Sequence, residues 1–539
     1  MRSTLLHGRT LQVFQTGGAT NQFGKDFDAP STTLQGVITS IYDIGCAVGA
    51  LITFAIGEKV GRRYMILMGG TIMIIGTALL GSSTTLAQLL VGRIVTGLGN
   101  GFNCSSIPTY QAETCPPRIR GALVCLQSTL TIVGLVVAYY IDIVSRPKLV
   151  YDAWRLFRAR LGFSYIDGPI QWRFPISFQA FFAIWLVIMV LFVPDTPRWL
   201  LERGRNDDAT RVLAAMAGED VSSARIVAQR DEILRSLEAE RLAAGPGEFH
   251  IKELFQGGKT GNWRRVGLSC AVLVMQQATG ARKRIRAECS AANMINYYAP
   301  TVYENAIGVS REVSLQLGGG TSLTYLAASF ICLFTVDRFG RRQLMMFASA
   351  GLAFCFYMTA ILVAVSETRT GEQAKSLGAA GAAFVFLFQV FLGIGWLGIP
   401  FLYPTEVSTT RIRSKAAALG TFCNWMAVFI VVMITPTAVT NIGWRVFLIF
   451  GSFNLAFIPI VYCLFPETSN LTLEEVDRMF EKGGLTGGVF SSKGGRTVEP
   501  GSGDGTGRRT RLEDGEGDLR VDEPKAGTET APPAVQVDA

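Results

Sequence analysis

Stretches of about 20 nearly uninterrupted apolar residues constrain this chain more than any other feature. A hydrocarbon core roughly 30 Å thick takes a helix of that length. Within it every backbone N–H and C=O must find its partner inside the protein. Eleven spans can be drawn: 34–56, 64–82, 86–110, 121–143, 174–193, 266–303 (interrupted), 315–336, 344–365, 378–403, 416–435 and 443–465. The chain is therefore expected to be an all-α polytopic membrane protein in a lipid bilayer. Composition agrees, with 49% of 539 residues hydrophobic and only 17% charged, where soluble domains average about a quarter charged.

Several function classes fall away. The net charge of +8 is spread over short loops, so no nucleic-acid partner is expected. Eight of the ten cysteines (Cys46, Cys104, Cys125, Cys270, Cys332, Cys355, Cys423 and Cys463) lie in apolar segments without CxxC spacing, and read as small packing residues. His7 and His250 lie outside the spans, which leaves no histidine metal site or proton relay in the membrane. There is no HExxH motif and no Ser/His pair within the spans, so neither an enzyme nor a cofactor is expected.

Loop charge sets an orientation. The basic motifs GEKVGRR (57–63), PPRIR (116–120), DRFGRR (337–342) and TTRIRSK (409–415) occupy alternate loops, which places them in the cytoplasm. The polar segment 194–265 and the tail then lie on the same side. Residues 206–244 of that segment, rich in Ala, Arg, Glu and Leu, predict short amphipathic helices. The tail, 481–539, has the composition of a disordered segment. Residues 1–33 would begin outside, yet hold no apolar core of a signal peptide and no span. With an odd count of eleven, a first helix is expected to be missing. The stretch 144–161 carries Arg146, Lys148, Arg155, Arg158 and Arg160 on the outer side, against the charge rule, and reads as an anomalous insert.

The chain also repeats itself. Tyr110 and Tyr403, Glu113 and Glu406, and Arg120 and Arg413 are each separated by 293 residues. Glu58-Lys59-Val60-Gly61-Arg62-Arg63 answers Asp337-Arg338-Phe339-Gly340-Arg341-Arg342, and Pro194-Asp195-Thr196 answers Pro466-Glu467-Thr468. All occur in the same order relative to the spans. Two homologous halves are expected, 34–193 and 266–480, joined by 194–265. Glu58, Arg62, Arg63, Glu113, Arg120, Asp337, Arg338, Arg341, Arg342, Glu406 and Arg413 then form a candidate cytoplasmic gate. Arg–carboxylate forks are directional and breakable, as a carrier with two alternating states requires. Gly92, Gly97, Gly99 and Gly101 predict close helix packing. Arg93 in the same span needs a partner, for which Asp43 is a candidate.

These residues match a family. GRxxxGxG (92–99), PxYxxExxxxxxRG (108–121), PDTPRWL (194–200), QQATG (276–280), NxxxYYAP (293–300), DRxGRR (337–342), YPTE (403–406) and PETSNLTLEEVD (466–477) resemble the fungal sugar transporters of the major facilitator superfamily. The resemblance implies two six-helix bundles and transport of a hexose or similar polyol by a monomer in the plasma membrane, with proton coupling left open. It places sugar contacts at Gln276, Gln277, Asn293, Asn424 and Trp425, whose amides suit paired hydroxyls and whose ring suits a sugar face. Where the family commonly has Gln, this chain has Ser128 preceded by Gln127. Where it has Trp, this chain has Phe401, with Trp396 nearby. Proton-coupled relatives carry an Asp on the first helix beside the Arg matching Arg93. Without that helix this chain is expected to transport poorly.

Between QQATG and Asn293 the relatives lack 11 residues that this chain has. Removing 281–291 leaves MQQATGANMINYYAP, one ordinary helix. As written, four basic residues would each cost about 2.5–3.5 kcal/mol at mid-membrane. The stretch reads as a translated intron. A sugar sensor of the same fold, or an inactive product of a faulty gene, are the alternatives to a carrier.

Overall fold

In the computed structural model the chain divides into two units, Met1–Ser491 and Ser492–Ala539. The structure describes residues 26–27, 32–115, 119–144, 170–244, 250–257, 261–277, 311–369, 371–409, 411–442, 444–469, 471, 476 and 479–480, all in the first unit. All but Val144 of the expected insert at 144–161, the expected insert at 281–291, Asn293, the tail from 481, nearly all of 1–33, and the side chain of Arg120 lie outside this description. Among the described residues there are helices and no strands.

The first half contains α1 (Thr32–Val60), α2 (Arg62–Gly81), α3 (Leu86–Thr114), α4 (Arg120–Val144), α5 (Ile170–Ser177) and α6 (Gln179–Leu191). Helix α3 lies against both α1 and α2, and its glycines explain how. A methyl group on Gly97 would sit 2.2 Å from the Tyr42 carbonyl oxygen, and one on Gly101 would sit 2.2 Å from that of Cys46. Lipid tails are as apolar as leucine, so helices associate here through backbone approach rather than through water exclusion. Hydroxyls buried in these helices turn back on the chain. Thr53, Thr77, Thr96 and Thr109 each donate to the carbonyl four residues earlier, at 2.7–3.3 Å, which keeps the donor satisfied in an apolar medium.

The connecting segment holds α7 (Pro197–Glu202), α8 (Asn206–Ala217), α9 (Ala224–Ala244) and a 3₁₀ turn at Ile251–Phe255. Thr196 caps α7, its hydroxyl accepting from the Trp199 N–H, with Pro197 at the first helical position; proline loses nothing there. Leu254 is buried with Val266, Ile412 and Ala416, and Phe54 of α1 packs at its edge. Arg411 forks onto Glu253 at 2.8 and 3.0 Å.

The second half contains α10 (Asn262–Gln277), α11 (Arg311–Phe339), α12 (Arg341–Glu367), α13 (Glu372–Phe391), α14 (Ile399–Val407), α15 (Arg413–Ile442) and α16 (Arg445–Leu464). The expected single span 378–403 is broken. A π-helical turn over Leu392–Trp396 separates α13 from α14. Gly393 and Gly395 press onto Ala328 and Ala348. The carbonyl of Trp396, freed by the break, accepts from Gln276 Nε2 at 2.7 Å. This is how an interrupted helix stays satisfied in a membrane.

Seven of the described helical stretches are long and apolar enough to cross a membrane. Helix α3 is long as well, but glycine, asparagine, serine and threonine fill its buried face. The halves join chiefly where α1 packs on α15 and α4 packs on α11, and α3 also lies against α15.

Candidate functional site

The repeated motifs meet as two latches, one in each half. In the second half, Gly340 (φ 91°, ψ 162°) turns the chain into α12. Arg341 follows and is buried, its side chain only 3% exposed. Its Nε and Nη2 donate to the two Glu406 oxygens at 3.1 and 2.7 Å. Nη2 also lies 2.9 Å from Asp337 Oδ1, and Nη1 donates to the Val336 carbonyl at 3.1 Å. Thr468 donates its hydroxyl to Glu406 at 2.6 Å. Glu467 accepts from four backbone N–H groups, those of Arg341, Arg342, Thr468 and Ser469, at 2.9–3.1 Å. Tyr403 donates to the Pro466 carbonyl at 3.1 Å.

The first half builds the same object from the matching residues. Gly61 (φ 95°, ψ 157°) leads into α2, Arg62 Nη2 meets Glu113 Oε1 at 3.0 Å, and Thr196 donates to Glu113 Oε2 at 2.6 Å. Tyr110 donates to the Pro194 carbonyl at 2.9 Å. Asp195 stands where Glu467 stands. It accepts from the N–H of Thr196 at 2.9 Å and of Arg63 at 3.5 Å. Its Oδ2, and Nε and Nη1 of Arg62, are buried without a hydrogen-bond partner among the described residues. Burial pushes the Asp195 carboxyl above its ordinary range, and its two backbone N–H bonds offset only part of that.

The second arginine of each motif does a different job. Arg63 donates to the carbonyls of Val190 and Leu191, at 3.3 and 2.8 Å, and Arg342 donates to that of Tyr462. Both thus cap the C-terminal end of the last helix of their half, where cations are favoured. Arg338 is exposed, its guanidinium 5.9 Å from the Phe339 ring, and Arg413 donates to Ser408 O at 3.5 Å. On this face polar contacts also cross between the halves. Lys415 Nζ lies 2.9 Å from Glu58 Oε2, and the Ala122 N–H donates to Asp337 Oδ2 at 3.2 Å.

A second cluster lies deeper. Gln277 Nε2 donates to Asn424 Oδ1 at 2.9 Å, beside the Gln276 bond to the π turn. Trp425 is 7% exposed, and its Nε1 has no hydrogen-bond partner among the described residues. Its ring meets Tyr42 of the other half edge to face, centroids 6.0 Å apart. The Arg93 guanidinium lies 5.1 Å from that Tyr42 ring and donates to the carbonyls of Ile38 and Thr39 at 3.1 and 2.8 Å. Asp43, next to Tyr42, is fully buried. The proposed sugar residues of α15 and the charged residue of α3 are thus joined through one tyrosine. Gln127 is half-buried, and its Oε1 has no hydrogen-bond partner among the described residues, while Ser128 donates to Val124 O at 3.3 Å. Phe401 is half-buried. Trp396 is fully buried, donating Nε1 to Ser349 at 3.0 Å and packing on Phe457.

Sequence reasoning did not name Tyr42, Lys415, Thr196, Thr468, Asp195 or Glu467 as functional. The last four stood in a repeated tripeptide, and repetition was their signal. Tyr42 and Lys415 belong to no repeat.

The chain is similar to known proteins along most of its length. A family model described as "Sugar (and other) transporter" matches residues 10–480. The MFS-type transporter oryC of Aspergillus oryzae is 36% identical over 451 residues, 83% of this chain and 77% of that protein. The sugar transporter STL1 of Saccharomyces cerevisiae is 30% identical over 472 residues, 86% and 75% of the two chains. Among solved structures, the proton:xylose symporter XylE bound to 6-bromo-6-deoxy-D-glucose superposes with a TM-score of 0.69 at 21% identity, covering 88% of this chain and 96% of that one. That likeness shows the all-helical major facilitator fold. The chain belongs to the sugar transporter family of the major facilitator superfamily.

Proposed function

We propose that the protein carries a hexose or related sugar or polyol across the membrane by alternating access. The observation that carries this reading is the paired latch. One face holds two copies of a breakable Arg–Glu–Thr lock, and the two cross-half contacts of Lys415 and Ala122 lie between them. Such a face is a gate in its closed position. Beneath it, Gln127, Gln277, Asn424 and the unpartnered N–H of Trp425 supply what a polyol recognises: amides for hydroxyls and a ring for an apolar face. The gate face is cytoplasmic, the membrane is the plasma membrane, and the bundles 34–193 and 266–480 move about the segment 194–265. Relatives named as sugar and hexose transporters and a neighbour named as a proton:xylose symporter support sugar as cargo and protons as partner. Arg93, held at Tyr42 against Trp425, is the residue through which a proton on the neighbouring Asp43 would be felt at the sugar site.

The test is uptake of labelled D-glucose and labelled glycerol by a transport-deficient yeast, at pH 5 and pH 7. Uptake above the empty vector, competed by unlabelled substrate and greater for the chain lacking residues 281–291, is expected. If neither form exceeds the vector for either substrate, the reading fails.

A further inference from the structure

Helices α4 and α11, one from each half, run antiparallel and touch through three successive rungs of small side chains. Nearest the latch face, the Ala122 N–H donates to Asp337 Oδ2 at 3.2 Å. One turn deeper, Cys125 Sγ lies 3.5 Å from Cys332 Sγ. Deeper again, the Thr129 hydroxyl reaches the Ser329 carbonyl at 3.4 Å. Both cysteines are 1% exposed. The middle rung thus places a thiol from each half in van der Waals contact, at the seam that must open when the latches release.

We propose that Cys125 and Cys332 form a redox-closable pair that ties the two halves together under oxidative load. The sulfurs need approach by only about 1.5 Å to reach the bond length of a disulfide. In the closed seam they are shielded. Parting of α4 and α11 exposes them to water, where hydrogen peroxide oxidises one: the thiolate attacks the peroxide O–O bond, giving a sulfenic acid and releasing hydroxide. Closure brings the second thiol onto the sulfenic sulfur. The S–S bond forms, the S–OH bond breaks, and water leaves. Two thiols and one peroxide become one disulfide and two waters, each sulfur giving up one electron to the peroxide oxygens. Cellular thiols keep such pairs reduced at rest and undo the bond by thiol–disulfide exchange. Because the bond joins the halves beside the latches, it holds the gate shut; that consequence rests on the alternating-access reading, whereas the bond itself requires only a transient parting of α4 and α11. Cys270 of α10 and Cys423 of α15 are also neighbours, but both belong to the second half, so a bond there ties nothing across the seam.

The full chain, reconstituted in phosphatidylcholine vesicles, is treated with hydrogen peroxide, alkylated, digested and mapped by mass spectrometry. A linked peptide pair containing Cys125 and Cys332 is expected, with a rise in thermal midpoint of roughly 5 °C. Both vanish on dithiothreitol treatment and in Cys125→Ser and Cys332→Ser alike, and both persist in Cys270→Ser. Absence of the linked peptide from the wild type, or a midpoint rise that survives in Cys332→Ser, overturns the pair. In vesicles that take up labelled D-glucose, peroxide is expected to reduce uptake at least tenfold, restored by dithiothreitol. Linked peptide with undiminished uptake overturns the lock. Vesicles inactive before peroxide speak against the transport reading alone, because mapping and midpoint still decide the pair.

Discussion

The two latches are built from the same residues in the same order, yet they are not equally made. Arg341 is engaged through all three guanidinium nitrogens, by Glu406, Asp337 and the Val336 carbonyl. Arg62 holds Glu113 through one, and its other two nitrogens have no hydrogen-bond partner among the described residues. The acidic residue of the repeated tripeptide differs by one methylene. Glu467 reaches four backbone N–H groups, whereas Asp195 reaches two, one of them at 3.5 Å. A longer arm completes the nest, and a shorter one leaves a carboxylate oxygen buried and unsatisfied. Duplication supplied one lock twice; side-chain length then made the second the firmer. The lock of the first half is the one that breaks at least cost.

The largest expected effect breaks the firmer latch. Glu406→Gln leaves Arg341 buried beside a neutral amide, and should lower stability by about 3–5 kcal/mol. Glu113→Gln, removing one charged hydrogen bond, should cost about 1.5–3 kcal/mol. Thermal midpoints of the two purified variants check the order, and equal losses would erase the asymmetry. Next come the turns. Gly61 and Gly340 share a conformation open essentially to glycine alone, so alanine at either should cost about 1–3 kcal/mol. These two losses should match, because here the halves are alike. A swap sharpens the contrast. Glu467→Asp should destabilise by about 1 kcal/mol while Asp195→Glu stabilises by a similar amount, read as opposite midpoint shifts.

The smallest effect is a pH dependence. Asp195 binds its proton more tightly in the native chain than unfolded, since burial raises its pKa. Its contribution is therefore fully present below the unfolded value, about 3.9, and lost as pH rises through the native one. Relative to Asp195→Asn, the wild type should gain stability as pH falls from 7 toward 4.5. A constant or widening deficit on acidification would show that Asp195 is already well solvated.

Much of the architecture was legible because membrane physics is legible: apolar length foretold an all-helical membrane fold, and seven of the described helical stretches are long and apolar enough to cross. Glu113 and Glu406 were found from recurrence 293 residues apart, and Arg62 and Arg341 from a motif that recurs 279 residues on. What recurrence could not say is who pairs with whom. Glu58 reads as the acid of its own GRR motif, yet it meets Lys415 of the other half. Arg63 and Arg342 read as gate charges, yet each caps a helix end. Lys415 and Tyr42 act across the seam between halves; the contact of Lys415 with Glu58 is echoed by that of Ala122 with Asp337, but a lysine and an alanine share no side chain that recurrence could flag. The break at 392–398 was invisible to hydropathy, because a π turn of Leu, Gly, Ile and Trp is as apolar as the helix it interrupts.

That break also bears on how cargo and motion are linked. The amide of Gln276 already has an occupation, bridging α10 to the loose carbonyl of Trp396. In the carrier proposed above, a substrate hydroxyl that drew this amide away would trade one bond for another, so Gln276 would add little to affinity. What the exchange does is untie α10 from the hinge between α13 and α14, the segment that carries Glu406. In the carrier proposed above, an occupied site would then be a relaxed hinge, and the substrate would trigger its own passage.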